Sequence, residues 1–231
     1  MSIDTPFSAE YNNITVTMAV KGMEEYPVQC FRLAGEGADA FDLHIHWLPA
    51  EQRDEKTLRR IFSSTKKPCL ALFYREGTPF NTPAASEETR IAGLMRALEC
   101  GAAGVDIQAD YFDKDPKASL EGSDLPFAKK IPNEVTLNPE AIGKQRELIR
   151  SIHNMGKEVL LSSHVGVELS RDEIISLALE MEKRGPDIVK IVTPCADEDY
   201  DRAIELLSAI NELKKRLHTP FVCLGSWWFV T

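Results

Sequence analysis

Paired cysteines are missing from this chain. Its five, Cys30, Cys69, Cys100, Cys195 and Cys223, are odd in number, scattered and never spaced C-x-x-C. Reduced, mostly buried thiols are therefore expected, in place of a disulfide framework or a thiolate metal site. No apolar run approaches the roughly 20 residues that cross a bilayer. The opening "MSIDTPFSAEYNN" has neither the basic nor the apolar region of a signal peptide, so the expected location is cytoplasmic. Basic charge is also short. Lys and Arg number 27 against 36 Asp and Glu, a formal net charge of −9, which argues against nucleic acid or an anionic membrane as partner. Internal repeats and low-complexity segments are absent as well, which excludes solenoid and linker-like architectures.

What is there is an alternation of short strands and amphipathic helices. The strand candidates are "NITVTMAV" (13–20), "AFDLHIHWL" (40–48), "KPCLALFYR" (67–75), "AAGVDIQAD" (102–110), "KEVLLSSHV" (157–165), "PDIVKIVT" (186–193) and "TPFVCLGS" (219–226). Between them run helical stripes with start and stop signals. Ser86 precedes Ile91, Leu94, Met95 and Leu98, and Gly101 ends the run. Asn138-Pro139 places a cap before a proline at the first helical position, with Gly156 as the stop. "SRDE" (170–173) is a capping box leading to Gly185, and a last helix carries Ile204, Leu207, Ile210 and Leu217. Strands separated by helices form parallel βαβ units, and so many in 231 residues predict one α/β barrel domain over 1–231. One stretch, 111–137, breaks the rhythm with three prolines, many charges and no period. It reads as an insertion after the fourth strand, either a solvated excursion or a lid on the catalytic face.

Period-two alternation assigns side chains to faces. In the second strand Phe41, Leu43, Ile45 and Trp47 share one face, while Asp42, His44 and His46 share the other. The apolar set packs on helices, so the polar set looks into the barrel. Asp106, Gln108 and Asp110 align in the fourth strand, Ser162 and His164 in the fifth, and Lys190 lies between Ile188 and Val192 in the sixth; the third ends on Tyr74-Arg75. Lys190 is the anomaly, because lysine is almost never buried without a partner. Three readings fit it and its neighbours. It is half of a buried ion pair with Asp42 or Asp110. Alternatively, a desolvated amine forms a Schiff base with a ketone while a histidine moves the adjacent proton. In the third, His44 and His46 bind a metal with Asp42 or His164.

"KEVLLSSHVG" followed by "PDIVKIVTP" resembles type I 3-dehydroquinate dehydratase, whose fifth strand ends in a catalytic histidine and whose sixth carries an imine-forming lysine. "GADAFDLHIHWL", "PCLALFYREG" and "GVDIQAD" are similar to that family's second, third and fourth strands. The resemblance implies a (β/α)8 TIM-type barrel and a lyase of the shikimate pathway, serving aromatic amino acid biosynthesis. Such an enzyme dehydrates 3-dehydroquinate to 3-dehydroshikimate with no metal or other cofactor, as a cytoplasmic homodimer acting on a small-molecule ketone. It makes Lys190 the imine former and His164 the proton-transfer group. Arg75, Asp42, His44, His46 and Gln108 stand at substrate-binding positions. Several differ in type from the family pattern. Asp42 and His44 stand for a glutamate and an arginine, His46 for an aspartate and Gln108 for a glutamate. No glutamate follows Arg75 at the usual spacing. The family's Gly-rich stretch with its carboxylate-gripping arginine, the eighth strand and the last helix have no counterpart in "LGSWWFVT". The barrel is therefore expected to be incomplete at its last strand and helix, with Trp227, Trp228 and Phe229 covered in a dimer. The alternatives are another Schiff-base lyase or aldolase acting on a different ketone, and a non-catalytic binding protein that keeps the barrel.

Overall fold

The computed structural model describes residues 15–18, 25–75, 85–196 and 199–226, so the expectation for Trp227, Trp228 and Phe229 lies outside the described residues. The backbone gathers into two compact units, 1–107 with 156–158, and 108–155 with 159–231.

The first unit holds β1 (Thr15–Met18), α1 (Glu25–Gly35), β2 (Ala40–His44), α2 (Glu55–Ser63), β3 (Cys69–Leu72), α3 (Glu87–Glu99) and most of β4 (Gly104–Gln108). These strands are parallel and follow chain order. Ser86 starts α3 as its sequence signal predicts, its hydroxyl accepting the Thr89 N–H at 3.2 Å. Asp54 caps α2 in the same way through Thr57, at 3.1 Å. Register fixes the faces. Asp42 lies beside Thr17 and Leu70, and Leu72 lies beside both His44 and Asp106. On the opposite face Cys69 is the partner of Phe41, and its sulfur lies 2.7 Å from the Tyr26 hydroxyl of α1. That face carries helices, so Asp42, His44 and Asp106 turn away from them. Burial pushes the Cys69 thiol up to about 12, so it is an inert packing group. Gly104 meets another backbone closely: a Cβ there would sit 2.4 Å from the Glu158 carbonyl oxygen.

One expectation is corrected here. The second strand does not run to Leu48. It ends at His44, and Ile45–Trp47 form a 3-10 helix. Arg53 takes up the carbonyls that this bend releases, donating to His46 O at 2.6 Å and to Leu48 O at 2.8 Å. His46 therefore stands on a turn, outside the period-two phase of Asp42 and His44.

The second unit holds α4 (Pro116–Leu120), α5 (Pro139–Asn154), β5 (Glu158–His164), α6 (Arg171–Glu182), β6 (Ile188–Pro194), α7 (Tyr200–Arg216) and β7 (Phe221–Ser226). Strands β5, β6 and β7 are parallel neighbours in that order. Asn138 caps α5, its side-chain oxygen accepting the Glu140 N–H at 2.9 Å ahead of Pro139. Gly156 stops that helix at φ 69, a left-handed value that costs glycine little. The Glu173 carboxylate accepts the Ser170 N–H at 2.6 Å at the start of α6. The 111–137 stretch is not a solvated excursion. Tyr111, Leu120, Phe127, Ala128 and Val135 are buried in it, and Ala109 and Val135 form a parallel bridge.

Candidate active site

Lys190 lies mid-strand on β6, 7% exposed between the similarly buried Ile188 and Val192. Thr193, on the opposite face of β6, accepts a hydrogen bond from Arg202 of α7 at 3.1 Å, so the face away from Lys190 packs on that helix. Lys190 is in register with Ser162, and His164 lies one two-residue step further along β5 on that same face. Strands about 4.8 Å apart with a rise of about 3.3 Å per residue put the two Cα atoms roughly 8 Å apart, within mutual reach of a lysine and an imidazole.

His164 has a partner that strand reasoning did not supply. Glu134 extends one carboxylate oxygen, Oε2, to His164 Nδ1 at 2.9 Å and to the His164 backbone N–H at 2.9 Å. Glu134 is buried and its φ is 60, a left-handed conformation seldom taken by a residue with a side chain. Its surroundings hold it there. The Ser163 hydroxyl donates to Asn133 O at 3.2 Å, and Gly166 leaves room for the Asn133 amide, which a Cβ would approach to 2.7 Å. A carboxylate on Nδ1 selects the Nδ1–H tautomer and puts the basic lone pair on Nε2, the arrangement of a general base with its orienting acid. A usable signal was present: "EVTL" (134–137) leads a short β-like run into the Asn138 cap, which marks a tied segment more than a loose one.

In the first unit Asp42 is buried and His44 half-buried on the face opposite Phe41 and Cys69. His46 is 3% exposed, its ring stacked against Phe73 with centroids 6.2 Å apart and against His44 at 5.2 Å. The Tyr74 N–H donates to its Nδ1 at 3.2 Å, and the same nitrogen lies 3.4 Å from the Leu72 carbonyl oxygen. Burial, reinforced by His44, lowers its pKa to about 3, which keeps it neutral. Arg53, whose guanidinium stands 5.4 Å above the Phe73 ring, completes this cluster and was not among the expected residues. Arg75 is half-buried just beyond β3, and Gln108 at the end of β4 is fully buried. Among the described residues no group of three or more His, Cys, Asp or Glu side chains is placed to hold a metal ion. Nor is any described helix long and apolar enough to cross a membrane.

Comparisons with known proteins converge. The type I 3-dehydroquinate dehydratase of Clostridium difficile, solved with covalently modified comenic acid, superposes with a TM-score of 0.66 at 15% identity, over 91% of this chain and 74% of that one. The 3-dehydroquinate dehydratase of Enterococcus faecalis gives 0.65 at 20% identity, over 95% and 82%. That of Geobacillus kaustophilus gives 0.64 at 14%, over 92% and 73%. These likenesses show the α/β barrel fold. No curated protein matches the sequence. A family model for type I 3-dehydroquinase matches residues 14–226, and the chain belongs to that family.

Proposed function

We propose that the protein is a lyase of the 3-dehydroquinate dehydratase kind, working through a Schiff base on Lys190. The observation that carries this reading is the set Glu134, His164 and Lys190: an oriented imidazole and a buried amine on one sheet face, on adjacent strands. The Lys190 amine adds to the substrate ketone, and the carbonyl oxygen leaves as water to give an iminium ion. His164 Nε2 removes the proton from the adjacent carbon, and the electron pair forms an enamine. The imidazolium returns that proton to the β-hydroxyl, which leaves as water as the enamine reverts to a conjugated iminium. Hydrolysis then releases the enone and the amine. Glu134 holds the ring in this orientation through these steps. By the family resemblance, Arg75 is the carboxylate-binding group, and Asp42, His44 and Gln108 are the polar substrate-contacting residues.

The Asp42–His44 pair on β2, where the family pattern has glutamate and arginine, favours a second reading in which the same imine chemistry serves a ketone with different substituents. One experiment separates the readings. The protein is treated with borohydride in the presence of 3-dehydroquinate, comenic acid or a panel of small ketones, and the adduct is mapped by mass spectrometry. Lys190 should carry the label, Lys190→Met should abolish it, and His164→Ala should accumulate imine without turnover. A label on another lysine, or full turnover without Lys190, overturns the imine assignment.

A further inference from the structure

Arg184 follows the C-terminus of α6 and is only 3% exposed. A buried guanidinium is expensive unless its donors are used; Nε makes no hydrogen bond among the described residues, and the two terminal nitrogens converge on one segment and the glutamine that supports it. Its Nη1 donates to Ala109 O at 2.5 Å and to Gln145 Oε1 at 2.7 Å, and its Nη2 donates to Thr136 O at 2.7 Å. Gln145, fully buried on α5, adds Nε2 bonds to Ala109 O at 3.1 Å and to Tyr111 O at 2.8 Å. Ala109 and Thr136 stand at the two ends of the excursion between β4 and α5, and the Thr136 N–H joins them directly through Ala109 O at 3.2 Å. Glu134 lies two residues before Thr136. Burial lowers the Arg184 pKa to about 10, against opposing attraction from Glu180 and Asp110, so the group remains a cation at neutral pH. Its bonds to these carbonyls are therefore charge-assisted, and its planar fork spans two carbonyls as an ammonium cannot.

We propose that Arg184 is a positioning residue for His164: by clamping both ends of the 109–136 excursion it holds Glu134 against Nδ1. It acts on the chemistry only through Glu134. The consequence for turnover rests on the imine reading above, whereas the consequence for the imidazole does not.

The test is made on the full chain with histidine labelled in its ring nitrogens. At a pH where His164 is neutral, wild-type protein should show the Nδ1–H tautomer. Arg184→Met and Glu134→Ala should both shift it toward Nε2–H, and the double variant should shift it no further. In kinetic assays Arg184→Met should lower kcat about tenfold or more, with KM and the borohydride adduct on Lys190 little changed. Arg184→Lys, which keeps the buried cation but cannot grip both carbonyls, should give the same tautomer change if Arg184→Met does not fold. A folded variant retaining the Nδ1–H signature overturns the proposal. Failure of both variants to fold also overturns it, by assigning Arg184 a purely structural role. If wild-type protein forms no adduct with any ketone, the imine reading falls, and the tautomer measurement still decides the role of Arg184.

Discussion

Acid should destabilise this protein through His46. The folded state buries a neutral imidazole with a pKa of about 3, and its ordinary value is 6.5. Between those values the unfolded chain binds one proton more than the folded one, so the stability this group contributes is intact above about pH 6.5 and is lost as the pH falls toward 3. Linkage puts the loss at about 2.7 kcal/mol by pH 4.5, a sizeable part of a typical folding free energy of about 5–15 kcal/mol. The comparison is His46→Asn. The asparagine amide oxygen can stand where Nδ1 accepts the Tyr74 N–H, and it does not titrate. Urea unfolding followed by circular dichroism, at half-unit steps from pH 7.5 to 4, gives the two stability curves. Asn will lose packing against Phe73 and His44, which offsets its curve by a constant. The signature is the slope: the difference between the curves should shrink by about 2–3 kcal/mol toward pH 4.5. Parallel curves would refute the burial argument.

Three further outcomes follow from packing. Gly104→Ala drives a Cβ to 2.4 Å from the Glu158 carbonyl and 2.8 Å from Leu70, so urea unfolding should show a loss at the upper end of about 1–3 kcal/mol; a neutral result would mean that the two backbones stand further apart. Phe127→Ala empties a fully buried site in the 111–137 segment and should cost about 3–5 kcal/mol in the same assay, whereas a solvated excursion would tolerate it. Asn138→Ala removes the α5 cap and should cost about 1 kcal/mol in thermal unfolding, with Asn138→Asp close to wild type.

Several elements were legible because local chemistry decided them. The run Ile188–Val192 is β-branched around Lys190, and α3, α5 and α6 each carry a side-chain start signal and a glycine stop. Helix α2 was equally available, with Asp54 ahead of Leu58, Ile61 and Phe62, but its mostly charged surface hid a narrow apolar stripe. The end of β2 was not legible. "FDLHIHW" keeps its apolar–polar alternation past the strand, and the bend at Ile45 depends on Arg53, whose grip on two carbonyls no local pattern reveals. Lys190 and His164 stood out because each is an anomaly in its own strand. Glu134 did not, since a glutamate in a charged loop is ordinary. It becomes special only by returning across 30 residues to His164 in a left-handed backbone conformation. Arg184 is similar: just past a helix it reads as a favourable basic residue near the helix C-terminus, and its burial is a tertiary fact.

The His164 backbone amide spends its hydrogen bond on the Glu134 carboxylate. Its proton is therefore shielded by the excursion and not by the strand ladder. Regions of one protein open with different free energies, and contacts made by a segment outside the sheet belong to a separate cooperative unit. Exchange of that single amide with deuterium should report the opening of the excursion alone, while the amides of Ile191 and Val192 report the sheet. On warming, the imidazole would lose its orienting carboxylate while β5 and β6 were still paired, so function would fade in a molecule whose circular dichroism was unchanged.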